Sequence, residues 1–134
     1  QGLCQVPMSV DVDSSPEDAL ELGRALAPLR DENVLIFATG NIVHNVDMVD
    51  HDMKEGLEWA AGFDRTVRRL VVNRKIKELL DYKSIEHNEL AVPTVDHYYP
   101  LLTVVGASDP GDPVTVFNDY CELASLSMTS YLFG

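Results

Sequence analysis

The order of apolar and polar positions in the first 38 residues predicts a strand, a helix and a second strand. Residues 6–12 are rich in β-branched side chains and end at a turn. Residues 34–38 form an apolar run without alternation, which is typical of a strand covered on both faces. Between them, four residues recur at helical spacing and predict one buried face: Ala19, Leu22, Leu26 and Leu29. This order predicts an α/β fold, a mixed sheet with a parallel β-α-β core flanked by helices.

Residues at the ends of the first helix predict where it begins and stops. Ser15 can accept a hydrogen bond from an exposed amide, and Pro16 suits the first helical position. Pro28 lacks an amide donor and should therefore kink or shorten the last turn.

The rest of the chain predicts three more helices and two more strands. Trp59, Phe63, Val67 and Leu70 share one face of a helix within residues 56–72. Residues 84–94 read as a loop, after which Thr94 should cap a helix that ends near Gly106. The remaining predictions are a short helix at 76–80 and strands at 114–117 and 126–132.

Composition narrows the possible environment and partners. The 134 residues suit a single domain, and no apolar run approaches the ~20 residues of a membrane helix, so we expect a soluble protein. A net charge of -12 disfavours nucleic acid and anionic membranes as partners. Cys4 and Cys121 have neither metal-ligand spacing nor the density of a disulfide framework, so we expect a reducing cytoplasm, with a long-range disulfide between them as the alternative. The start, QGLCQVPMSVDV, reads as an internal piece of a longer protein.

Two histidines lie at positions that suit ligand or metal binding. His44 follows the predicted strand at 34–38, and ligands of open α/β sheets bind beyond the carboxyl ends of strands. A hydrogen-bonded loop histidine fits the same pattern. In the first turn of the predicted helix, His97 should favour the neutral imidazole that binds metals, although a capping role is also compatible.

Other candidate chemistry has less support. His51 and His87 lie among charged residues in predicted loops and read as solvated surface histidines. The sequence has no G-x-S-x-G nucleophile elbow and no glycine-rich phosphate loop. These patterns disfavour serine hydrolases and nucleotide enzymes.

Four segments in order carry a family resemblance: VPMSVDV, ALAPLRDENVLIFATGNIVHN, VPTVDHYYPLLTVVGA and SLSMTSYLFG. Together they resemble the C-terminal half of the class III extradiol ring-cleaving dioxygenases, in the DOPA 4,5-dioxygenase-like branch. The resemblance implies part of the extradiol dioxygenase catalytic-subunit fold. Residues 1–134 would then be a single domain unit, the C-terminal portion of a longer dioxygenase domain.

The resemblance also implies a site and a reaction. It implies a mononuclear non-haem Fe(II) centre, with Zn(II) possible in the same site, that opens a catechol ring with O2. His97 falls on the family's metal-ligand histidine, and His44 on a histidine that serves as acid/base or as a further metal contact. Asp96 stands where the family commonly has Glu.

Two further ligand histidines of the family lie in motifs that this sequence does not contain, a His-Gly-Ser-Pro-like and an Ala-His-Trp-like motif. We therefore expect the missing N-terminal half, or another copy in a homo-oligomer, to complete the site. The rival hypothesis is a non-catalytic binding or interaction module that keeps the fold without a competent metal site. A hydrolase on the same fold ranks last.

Overall fold

Helices and short strands both occur in residues 4–134, the part of the chain that the computed structural model describes. The α-helices are α1 (Pro16–Leu26), α2 (Glu58–Val72), α3 (Ile76–Leu80), α4 (Asn88–Ala91) and α5 (Tyr99–Ala107). The strands are β1 (Val114–Phe117), β2 (Cys121–Glu122), β3 (Leu126–Ser127) and β4 (Ser130–Phe133). Turns of 3-10 helix cover Ala27–Glu32, Val46–Met48, Tyr82–Ser84 and Val95–His97. The mixed α/β class is confirmed.

The start of α1 follows the sequence prediction. The Asp18 amide donates to Ser15 Oγ at 3.1 Å, and the Ser15 amide donates to Asp18 Oδ2 at 3.0 Å. Two exposed amides are thereby satisfied reciprocally. Pro28 lies in the 3-10 turn that follows α1, so the shortened last turn is also confirmed.

Two glycines bring α1 and α5 into backbone contact. A Cβ on Gly23 would lie 1.9 Å from the Thr103 carbonyl oxygen, and one on Gly106 would lie 2.1 Å from the Leu20 carbonyl oxygen. These distances are far below van der Waals contact. The two helices can approach this closely only because both positions lack a side chain.

This crossing corrects one prediction about α1. The buried positions of α1 are Ala19, Leu20 and Gly23, whereas Leu22 is 39% exposed. The predicted face is therefore confirmed at Ala19 and wrong at Leu22, because the contact with α5 is made through small residues. Gly106 packs on α1 one residue before α5 ends at Ala107, so the predicted end of this helix near Gly106 is confirmed.

The predicted parallel β-α-β pairing is not formed among residues 4–134. Residues 6–12 and 34–38 belong to no strand, and the ladders in this part of the chain are antiparallel, β1 with β4 and β2 with β3. The predicted burial of the second segment is also wrong, because Leu35 is 81% and Phe37 78% exposed. A strand requires a hydrogen-bonded neighbour, and the described residues supply none here.

The remaining elements follow the predictions with local differences. Helices α2 and α3 form as expected, and α4 lies within the predicted loop at 84–94. The predicted strand at 126–132 divides into β3 and β4. Tyr98, fully buried, donates from its hydroxyl to the Leu79 carbonyl at 3.0 Å and so joins the start of α5 to α3. No helix in residues 4–134 is long and apolar enough to cross a membrane.

We predict that Gly23→Ala destabilises the chain despite the better helix propensity of alanine. The new methyl group would overlap backbone atoms of α5, and overpacking of this kind costs about 1–3 kcal/mol. Urea denaturation measures the free energy of unfolding. Gly111→Ala is the matched control, because no atom lies within 4 Å of its added Cβ. Equal stabilities of the two variants would contradict the tight crossing.

Candidate functional site

The fold brings His44 and His97 into direct contact. Their rings stack face to face, with centroids 3.5 Å apart and planes inclined by only 13°. The other two histidines lie elsewhere on the surface, with His51 and His87 both exposed as predicted. The stacked pair is therefore the only juxtaposition of two histidine rings within residues 4–134.

A short, well-anchored segment carries His44. Ile42 and Val43, which precede it, are 4% and 0% exposed and belong to the core. The His44 amide donates to the Ala91 carbonyl at 2.9 Å, and His44 forms an antiparallel bridge with Leu126. His44 is thus half-buried in hydrogen-bonded structure rather than held in a free surface loop.

Gly40 brings this segment against the backbone of His97. A Cβ at Gly40 would lie 2.4 Å from the His97 carbonyl oxygen. Next to it, Asn41 Nδ2 donates to the Ser127 carbonyl at 2.6 Å and fastens the segment to β3. The small residue and the amide in the sequence TGNIVHN therefore serve close approach and anchoring.

His97 ends the 3-10 turn Val95–His97 and precedes α5. The predicted cap is wrong in detail, because Thr94 makes no side-chain cap hydrogen bond and the α-helix begins only at Tyr99. His97 Nε2 lies 3.5 Å from Asp96 Oδ2, and Nδ1 is buried without a hydrogen-bond partner. One ring nitrogen thus faces a carboxylate while the other is unpaired.

The surroundings of the site lower the pKa of both His44 and Asp96, for different physical reasons. Burial, followed by the positive charge that His97 can carry, lowers the pKa of His44, and Asp96 partly opposes this. A hydrogen bond from the Thr94 side chain is the main cause that lowers the pKa of Asp96, and both histidines add to it. The arrangement favours a neutral His44 ring beside an ionised Asp96 at neutral pH.

The described residues fit one metal-ligand position rather than a complete centre. A metal-binding histidine commonly has its second nitrogen on a carboxylate, and His97 beside Asp96 matches that arrangement. However, no group of three candidate His, Cys, Asp or Glu ligands occurs in residues 4–134. Three protein ligands are the usual requirement of a mononuclear catalytic site.

An open cavity of about 660 Å³ lies beside His97. Its wall includes the apolar residues 34–38 together with Leu132, Thr129 and Tyr131, whereas His44 is not part of it. Much of this wall is apolar and exposed, which is unusual for the surface of a monomeric protein. The cavity therefore presents an exposed apolar wall beside His97.

A larger groove of about 810 Å³ runs along α2 and the residues after it. Trp59, Arg65, Arg69 and His87 are on its wall, but neither member of the histidine pair is. The larger volume of this groove does not by itself indicate a reaction. We therefore place the candidate site at the stacked rings of His44 and His97.

Sequence reasoning missed the residues that support the histidine pair. Ser125 and Ser127 are buried in the C-terminal segment, and the Ser125 hydroxyl donates to the Asn45 carbonyl at 2.7 Å. Asp64 of α2 is also buried. The available signal in the sequence was the alternation of small polar residues in SLSMTS. Such a pattern in a strand can place hydroxyl groups in the interior, where they require hydrogen-bond partners.

Comparison with known proteins assigns the family. Residues 3–134 match the model of the catalytic LigB subunit of aromatic ring-opening dioxygenase. The chain is 38% identical to a 4,5-DOPA dioxygenase extradiol of Escherichia coli K12, covering 96% of this chain and 50% of that protein. It is 30% identical to the one from Beta vulgaris, covering 98% and 48%.

A crystal structure of an uncharacterized Escherichia coli K12 protein superimposes with a TM-score of 0.85 at 36% identity, covering 94% of this chain and 53% of that one. The chain belongs to the LigB family of ring-opening dioxygenases, which are non-haem metal-dependent enzymes. It spans about half the length of the curated relatives it matches.

We predict that stability decreases as the pH falls below about 6.5, the ordinary pKa of histidine. Because folding lowers the pKa of His44, the unfolded chain binds this proton more tightly. The loss should begin near the unfolded pKa and be complete below the folded one. Unfolding free energies of wild type and His44→Gln between pH 5 and 8 measure it, with His51→Gln as the exposed-histidine control. Parallel pH profiles for wild type and His44→Gln would contradict the prediction.

Proposed function

We propose that this chain forms the C-terminal part of an extradiol dioxygenase that opens a catecholic ring of the DOPA type with O2. In this proposal His97 is a metal ligand, and His44 is the acid/base group. The single observation that carries the assignment of roles is the stack of the two imidazole rings beside Asp96.

The stacking geometry favours different roles for the two rings. An imidazole binds a metal through a nitrogen lone pair that lies in the plane of its own ring. With the rings 3.5 Å apart and almost parallel, the lone pairs of the two rings lie in separate parallel planes and do not point to one common atom. This geometry supports His97 as the ligand and His44 as a proton-transfer group rather than a second metal contact.

The local electrostatics suit proton transfer by His44. A base must be neutral before it accepts a proton, and burial beside His97 lowers the pKa of His44. His44 could then take a proton from a catechol hydroxyl and return it to the ring-opened product. A bound Fe(II), or Zn(II) in the same site, would supply the Lewis acidity or redox chemistry of the centre.

Completion of the site requires residues outside the described part of this chain. The described residues offer one ligand histidine, and the apolar wall at residues 34–38 is uncovered beside it. We propose that a polypeptide corresponding to the other half of the relatives covers this wall and brings the remaining ligands. A second copy of the chain is the alternative occupant.

A non-catalytic interaction module is the second candidate. The observation that favours it is the incomplete ligand set within residues 4–134. Metal analysis distinguishes the two hypotheses. Stoichiometric iron or zinc that is lost in His97→Ala supports the enzyme, whereas absence of metal from the intact protein supports the module.

We predict a separation of metal binding from turnover in the intact protein. After anaerobic loading with Fe(II), addition of a catechol and air should give a coloured ring-opened product. His97→Ala should lose both metal and product. His44→Gln should keep the metal but reduce kcat by about 10²–10⁴-fold, the usual effect of losing a general acid or base.

Absorbance of the product and metal content per chain are the measurements. His51→Gln and His87→Gln, which replace exposed histidines outside the stack, should behave like wild type. Loss of metal in His44→Gln would move His44 to the ligand set. No product from wild type at full iron loading would reject catalysis.

We predict that the 134-residue chain associates through its apolar wall. Val34, Leu35 and Phe37 are 43%, 81% and 78% exposed, and burial of such surface drives association. Sedimentation velocity should show dimers or larger species, and Leu35→Ser with Phe37→Ser should shift them toward monomer. Leu22→Ser on the exposed side of α1 is the control. A strictly monomeric wild type would contradict the prediction.

A further inference from the structure

A buried carboxylate on α2 has no role in the proposed reaction. Asp64, in the middle of α2, is 3% exposed. Both of its oxygens accept hydrogen bonds: Ser127 Oγ donates to Oδ1, and Thr129 Oγ1 donates to Oδ2 at 2.7 Å. Aspartate is rarely buried without partners, so these two hydroxyls are part of what makes its position tolerable.

The segment that Asp64 holds is the same segment that holds His44. The Ser127 amide donates to the Val43 carbonyl at 3.0 Å, and Asn41 Nδ2 donates to the Ser127 carbonyl. His44 itself bridges Leu126. Ser127 is therefore bonded through its backbone to the His44 segment and through its side chain to Asp64.

A second connection runs along the other side of His44. The Asn45 amide donates to the Ser125 carbonyl at 3.3 Å, and the Ser125 hydroxyl donates to the Asn45 carbonyl. The backbone on both sides of His44 is thus tied to the segment around β3. A displacement of that segment would move His44 relative to His97.

Hydrophobic packing alone does not require a carboxylate at this position. Burial raises the pKa of Asp64, and the two hydroxyl donors partly oppose that effect. An apolar side chain at this position of α2 would avoid the cost of desolvating a carboxylate. It could not accept hydrogen bonds, however, and so could not orient the two hydroxyl groups. Buried polar groups are retained in some proteins because they specify one arrangement of their neighbours.

We propose that Asp64 is a positioning residue for His44, which acts through Ser127 and Thr129 to hold the β3 segment and thereby the stack of His44 on His97. The inference rests on the proposed function only in the role of His44. The stack itself can be measured without activity.

Ring proton signals of the histidines in the metal-free chain provide the test. Rings stacked at 3.5 Å shield each other, so His44 and His97 should show upfield-shifted signals in two-dimensional proton–carbon spectra. Asp64→Ala should lose most of this shift. Asp64→Asn keeps the shape and one acceptor oxygen and should therefore keep most of it.

Asp81→Ala is the matched control, because Asp81 also accepts a serine hydroxyl, from Ser84 at 2.7 Å, but at an exposed position. It should leave the histidine signals unchanged. Unchanged signals in a folded Asp64→Ala would overturn the proposal.

If circular dichroism shows that Asp64→Ala is unfolded, Ser127→Ala and Thr129→Val take its place in the test, since each removes one hydroxyl donor to Asp64. A reduced upfield shift in these folded variants supports positioning. Unchanged signals overturn it, and unfolding of these variants as well assigns Asp64 to stability alone and also overturns it.

Kinetics of the intact protein separate this inference from the proposed function. Asp64→Ala should reduce kcat about 10-fold or more with little change in KM, because substrate binding groups remain while the proton-transfer group is misplaced. If the wild type is inactive but Asp64→Ala still loses the upfield shift, only the proposed function is rejected. Activity with no spectral effect rejects the positioning role alone.

Discussion

The hydrogen-bonded contact between β3 and the residues around His44 is the interaction on which the candidate site depends. Ser127 bonds to Val43 through its amide and to Asn41 through its carbonyl, while Ser125 bonds to Asn45. These partners are distant in sequence, so the site exists only when the C-terminal segment is folded onto the middle of the chain. Disruption of β3 would release His44 even though the histidine itself is unchanged.

Close backbone approach places the second ring of the pair. Gly40 lies against the His97 carbonyl, and α5, which follows His97, is held on α1 by Gly23 and Gly106. Glycine is required at such contacts because a Cβ would overlap a carbonyl oxygen. His44 is therefore positioned mainly by hydrogen bonds, whereas His97 is positioned mainly by packing. The stack is where these two constraints meet.

Residues 34–38 and the candidate ligand His97 border the same cavity. The extended residues 34–38 have no strand partner among residues 4–134, and their apolar side chains border the cavity beside His97. No group of three candidate ligands occurs in residues 4–134, whereas a mononuclear metal centre usually requires three. A single covering polypeptide could satisfy both requirements, which is why the half-length match to the relatives matters for function.

Interactions between residues close together in the chain could be predicted from the sequence. The N-cap at Ser15, the apolar face of α2 and the two histidines within recognisable motifs depend on residues a few positions apart, and the first two form as predicted. Tertiary structure decided the stack of His44 on His97, the burial of Asp64 and the lack of a strand partner for residues 34–38 among residues 4–134. Each of these depends on contacts between segments that lie far apart along the chain, and residue spacing within one segment carries no information about such contacts.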